Sequence, residues 1–202
     1  MCWNSKVSLQ TFIFSTTPLV LCLYFKLIDL KKYLIYQTFF SMQLVEYFLW
    51  TNLKNKMWNR IFSVLGFILI FLLSAFSIYG NQNKYTFHVL GLYFLFVFYV
   101  LYTIPIEFYT TVAPNKHLSW NWLNLPLYII VIWTLFFMYS SVFSIYSGNY
   151  NDLLIIIFTA FIYLFTFYSY YESKTFGTMW CWIANANAIY FYYLLVKLKL
   201  KM

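Results

Sequence analysis

Gln43, Glu46 and Trp50 are spaced three and four residues apart inside an apolar stretch, Tyr33 to Trp50. On a helix that spacing puts a carboxamide, a carboxyl and an indole on one face. Glu46 is the one carboxylate well inside any long hydrophobic segment of the chain. Exposing this face to hydrocarbon would strand two polar groups at high cost, so the face is expected to turn inward. A buried carboxyl among amides could bind a cation or relay a proton. Alternatively, it is a structural clamp that fixes helix register through hydrogen bonds.

A second polar set lies near the C-terminus, where Thr178, Cys181, Asn185 and Asn187 alternate with Gly177, Ala184, Ala186 and Ala188. Small residues let helix backbones approach and buried amides bond across them. The seventh helix is therefore expected to pack against the second, with Glu46 facing Asn185 or Asn187.

Other ionisable groups offer less. Glu107 stands at the end of an apolar run, where it can reach water by snorkelling. His88 reads as an interfacial residue, and His117 as a solvated residue in a polar loop. These two histidines and the three cysteines (Cys2, Cys22, Cys181) are too dispersed for a metal site or a disulfide framework. No nucleophile elbow or phosphate-cradling glycine loop is present. No cofactor or metal is implied, and an enzyme ranks last among the function classes.

The elements that must position these residues follow from composition. The 202 residues are 63% hydrophobic and 9% charged, against about 25% charged in soluble domains. Apolar runs cover approximately 9–25, 33–50, 61–79, 87–106, 122–145, 153–171 and 176–196, each near the ~20 residues that cross a bilayer. The expected fold is all-α, a single polytopic transmembrane bundle of about seven helices spanning 1–202. The first run is expected to be a retained helix, kinked or started near Pro18, rather than a cleaved signal. Thr110 to Trp120 reads as a polar loop, the longest connection. Gly148 to Asp152 reads as a turn, with Asp152 capping the sixth helix.

Net charge is +8, but the basic residues fall between the apolar runs. That suits anionic lipid headgroups and topology signals rather than nucleic acid. The bilayer is thus the expected partner, and a homo-oligomer is compatible with it. Lys26, Lys31 and Lys32 make the C-terminal flank of the first run the more basic, so the N-terminus is placed outside and the C-terminus in the cytosol. An aromatic fraction of 26% fits interfacial belts or a ligand cage, but is read first as the product of an AT-rich coding sequence.

Three blocks resemble a known family. Met1-Cys2-Trp3-Asn4 with Val7 to Phe12, Met42 to Glu46 with Trp50, and Phe176 to Trp182 are similar to small multi-pass membrane proteins encoded by giant DNA viruses of protists. The Gln-x-x-Glu with a following Trp is also similar to a bacterial membrane family. The viral resemblance singles out Cys2, Trp3, Asn4, Trp50, Gly177, Trp180 and Cys181. It implies a viral origin, a multi-pass topology and residence in a virion or host internal membrane, but no mechanism. Cys2 could be a lipidation or redox site, while Trp3 reads as an interfacial residue.

From these readings the expected function is a small channel or transporter for a cation or proton centred on Glu46. The alternative is a structural component of a viral or host internal membrane.

Overall fold

The computed structural model describes residues 4–81, 83–146 and 153–200, and within them the side chains outside 140–146, 153–156, 158 and 159. Cys2, Trp3, the Gly148–Asp152 turn and the expected Asp152 cap lie outside the described residues. What is described is mostly helical, with seven α-helices. These are α1 (Ser5–Tyr24), α2 (Leu30–Thr51), α3 (Lys56–Gly80), α4 (Thr86–Thr103), α5 (Leu127–Tyr146), α6 (Leu153–Tyr170) and α7 (Cys181–Lys199). Among the described residues α1, α3 and α4 are long and apolar enough to cross a membrane.

The first three helices start earlier than their apolar runs because polar residues cap them. Asn4, Asp29 and Asn55 each accept a backbone N–H three residues on, from Val7 (2.9 Å), Lys32 (2.7 Å) and Trp58 (3.3 Å). Such a side-chain acceptor satisfies a donor that the first helical turn leaves orphaned. Pro18 lies well inside α1 rather than at its start.

Two boundaries differ from expectation for local reasons. Trp122 belongs to a 3-10 turn, Asn121–Leu123, and α5 begins only at Leu127. Pro126 disfavours helical backbone at Leu125, while its own carbonyl accepts the N–H groups of Ile129 and Ile130. Likewise Phe176–Trp180 form a 3-10 turn ahead of α7. At its other end α7 runs to Lys199, with Lys197 and Lys199 in the last turn, where positive charge complements the helix dipole.

The expected polar loop is a β-hairpin, so the fold is not purely helical. Strand β1 (Thr110–Val112) pairs antiparallel with β2 (Leu118–Trp120), Thr110 opposite Trp120 and Val112 opposite Leu118. All three residues of β2 are buried. The hydrophobic β2 could not stay in water, and it folds back onto the helix ends.

Helix α2 lies between α1 and α3, α5 packs on α3, and α7 lies along α1. The α1–α7 pair runs parallel: Ser15 Oγ donates to Ala184 O (3.3 Å) and Cys22 Sγ to Phe191 O (3.5 Å). The small residues of α7 thus serve chiefly α1, whose Ser8, Thr11 and Ser15 form a matching buried stripe. Contact of α7 with α2 is lesser, and includes Phe191 against Tyr36 and Phe40.

Candidate functional site

The inward face expected for α2 is the one the fold buries. Glu46 is 0% and Gln43 1% exposed, and Trp50 is half-buried. Among the described residues Glu46 is the only buried carboxylate, and no lysine or arginine is buried. On α7, Asn187 is 3% exposed and its Oδ1 has no hydrogen-bond partner, whereas Asn185 is half-buried. Because α2 and α7 run antiparallel and Phe191 meets Tyr36 and Phe40, a turn in each direction brings Gln43 level with Asn187. Glu46 then falls about a turn further on, near the level of Ala184.

An aromatic cluster packs against the same helices. Trp122 from the 3-10 turn reaches the α2–α3 contact at Val45 and Gly66. A Cβ on Gly66 of α3 would stand 2.9 Å from Trp122 Cζ2 and 3.5 Å from Val45 Cγ1. Trp120 stacks on Trp122 (centroids 4.9 Å, 12°) and meets Trp180 edge-on at 6.4 Å. Trp180 in turn stacks on Trp133 of α5 (5.9 Å, 7°) and touches Phe39 of α2. Gly177 is where this assembly needs a missing side chain, since a Cβ there would fall 2.5 Å from Trp120 Cε3. Two of the residues singled out by resemblance, Gly177 and Trp180, thereby gain a physical role as the seat of the Trp120 indole.

The hairpin is pinned to α3 by a residue that the sequence reading passed over. Asn59, fully buried, pairs its carboxamide with the Thr110 peptide as a strand neighbour would. Its Nδ2 donates to Thr110 O and its Oδ1 accepts from Thr110 N, both at 2.9 Å. The Thr110 hydroxyl shares a hydrogen with Ser63 (2.9 Å) and accepts the Trp122 indole N–H (3.3 Å). The indole N–H groups of Trp120 and Trp180 are buried without a hydrogen-bond partner among the described residues. On the far side Asn115 Nδ2 donates to Thr175 Oγ1 (2.9 Å) and Ser173 Oγ (3.3 Å), tying the hairpin tip to the loop after α6. The signal for Asn59 was weak, a polar residue among the lysines and arginine that precede an apolar run.

His117 corrects its expected place. It is 7% exposed, not solvated, and its ring meets Tyr170 edge-on at 6.3 Å. Desolvation holds its pKa below the usual histidine value. Glu107 and His88 are exposed. Thr178 in the 3-10 turn and Cys181 at the start of α7 are fully buried, with the Thr178 hydroxyl donating to Thr175 O (2.8 Å).

The arrangement is a carboxyl and a carboxamide buried in the α2 face, with a cluster of indoles packed against α2, α3 and α5. Compared with known proteins, the chain matches no family model, no curated protein and no solved structure.

Proposed function

We propose that the chain is a multi-pass integral membrane protein whose seven helices form one transmembrane bundle, and that Glu46 is a cation or proton site of a small channel or transporter. The observation that carries this is the complete burial of Glu46, one turn from the equally buried Gln43 on α2. In the membrane reading, an ionisable group buried inside a helix bundle marks an ion or proton path. Membrane residence is supported by α1, α3 and α4, and by large apolar residues at the surface such as Phe87, Leu95, Tyr102 and Tyr168. The viral resemblance supports a virion or host internal membrane, with basic loops on anionic headgroups, the N-terminus outside and the C-terminus cytosolic.

A second reading, a structural membrane component without transport, is favoured by the close packing of the indoles Trp120, Trp122, Trp133 and Trp180 inside the bundle. Reconstitution in liposomes separates the two. With a proton- or cation-sensitive dye inside, the native chain is expected to dissipate an imposed gradient. Glu46→Gln, which keeps shape and polarity, is expected to fold and to abolish the flux. Absence of flux from the native chain refutes the transport reading, as does full activity of the variant.

A further inference from the structure

A depression of about 350 Å³ opens beside the hairpin, lined by Pro105, Glu107, Asn121, Asn124 and Lys174. We propose that it binds a small zwitterion, a primary ammonium joined to a phosphate or carboxylate, with the ammonium on Glu107 and the anion on Lys174. Three segments build the walls: the exit from α4, the turn after β2 and the loop after α6. Each wall is held in place. Tyr109 N–H donates to Glu107 O (2.8 Å), Asn121 N–H to Tyr109 O (3.2 Å) and Asn124 N–H to Asn121 O (3.1 Å). The loop bearing Lys174 is fastened to the hairpin through Asn115, Ser173 and Thr175.

Lys174 brings the positive charge to this lining. Its backbone is left-handed, φ 56°, a conformation suited to glycine and unfavourable for other residues. The α6 terminus requires it there, with Lys174 N–H donating to Tyr171 O and Thr175 N–H to Tyr170 O. Lys26 and Lys116 adopt the same conformation, and of these three lysines only Lys174 lines the depression. Glu107 and Lys174 line the same space without forming an ion pair. A lone anion would be opposed by Glu107 and a lone cation by Lys174. A ligand with both charges complements the site, and the two carboxamides can serve its remaining donors and acceptors.

Pro105 and Glu107 follow α4 within a few residues, so in the membrane reading the depression stands at headgroup depth. The ammonium-phosphate chemistry then has two sources, a phosphatidylethanolamine headgroup or a free aminoalkyl phosphate. Only the first rests on that reading, and neither involves Glu46.

The test uses the full chain in detergent micelles. Phosphoethanolamine is titrated by calorimetry, and dioleoylphosphatidylethanolamine is scored by native mass spectrometry. Inorganic phosphate, ethylamine and dioleoylphosphatidylcholine serve as controls. At least one ammonium-phosphate probe is expected to bind in preference to all controls. Glu107→Gln and Lys174→Gly, the latter compatible with the left-handed backbone, should each weaken it by about tenfold, the loss of one charged hydrogen bond. The exchange variant Glu107→Lys/Lys174→Glu should recover binding. Binding of the lipid alone assigns the site to a headgroup, and binding of both probes extends it to soluble zwitterions. Failure of both probes, unchanged binding in the single variants, or no recovery on charge exchange overturns the proposal.

Discussion

Asn59 shows how much one side chain can decide. Its carboxamide satisfies the N–H and the C=O of Thr110 together, so Asn59→Ala leaves a buried donor and a buried acceptor unmet. The expected cost is about 2–6 kcal/mol, since each of the two orphaned buried groups costs about 1–3 kcal/mol. Asn59→Asp should also be destabilising, because a carboxylate cannot donate to Thr110 O. Thermal unfolding in detergent would measure both, and a native-like midpoint for Asn59→Ala would show that the hairpin is held elsewhere. His117 makes a second prediction at this scale. Its folded pKa lies below the unfolded value of about 6.5 because burial penalises the imidazolium. Below about pH 6.5 the unfolded chain therefore takes up a proton more readily than the folded one. Stability is expected to be intact above that pH and to fall as pH drops from there through the folded pKa. His117→Gln should flatten this slope, and an identical slope in the variant would remove His117 as its cause.

At the scale of elements, three of the described chain reversals place a lysine in the left-handed conformation that glycine usually takes. The left-handed positions among the described non-glycine residues are all lysines: Lys26, Lys116 and Lys174. Lys26 ends α1 as Lys174 ends the α6 segment, with Leu27 N–H donating to Cys22 O (2.8 Å) and Lys26 N–H to Leu23 O (3.0 Å). Exchanging this exposed lysine for glycine relieves the Cβ clash but adds freedom to the unfolded chain. A net gain of about 0.5–1 kcal/mol is expected for Lys26→Gly. For a chain of this size that is an increase of roughly 1–4 °C in midpoint. A lowered midpoint would mean that the lysine side chain contributes more than its backbone costs.

At the scale of the molecule, the hydrogen bonds and ring contacts sort the ends of the helices. The start of α1, the end of α2, the start of α3, the hairpin and the start of α7 share one end, and the C-terminus of α7 lies at the other. The sequence contains no Asn-x-Ser/Thr acceptor, so acceptors can be added one at a time without background. In the proposed orientation an N-terminal tag and an insertion at the hairpin turn are both expected to be glycosylated in microsomes, and a C-terminal tag is not. Modification of the C-terminal tag alone would invert the orientation. Modification of the tag but not of the hairpin insertion would break the shared end.

Much of this molecule could be read directly from its sequence. Helical class, the inward turn of Gln43 and Glu46 and the approximate helix spans follow from local quantities: apolar run length and three-to-four residue spacing. Even the early helix starts at Asn4, Asp29 and Asn55 were written in capping residues standing before the runs. Only the tertiary structure decided what happens between α4 and α5. The segment Thr110 to Trp120 is polar on average, yet β2 is buried because Asn59 pairs with a distant peptide and Gly66 and Gly177 leave room for two indoles. It likewise decided that α7 lies mainly along α1, because a small-residue face selects whichever neighbour offers the complementary stripe. Such pairings depend on shapes brought together from remote parts of the chain, and no periodicity within one segment encodes them.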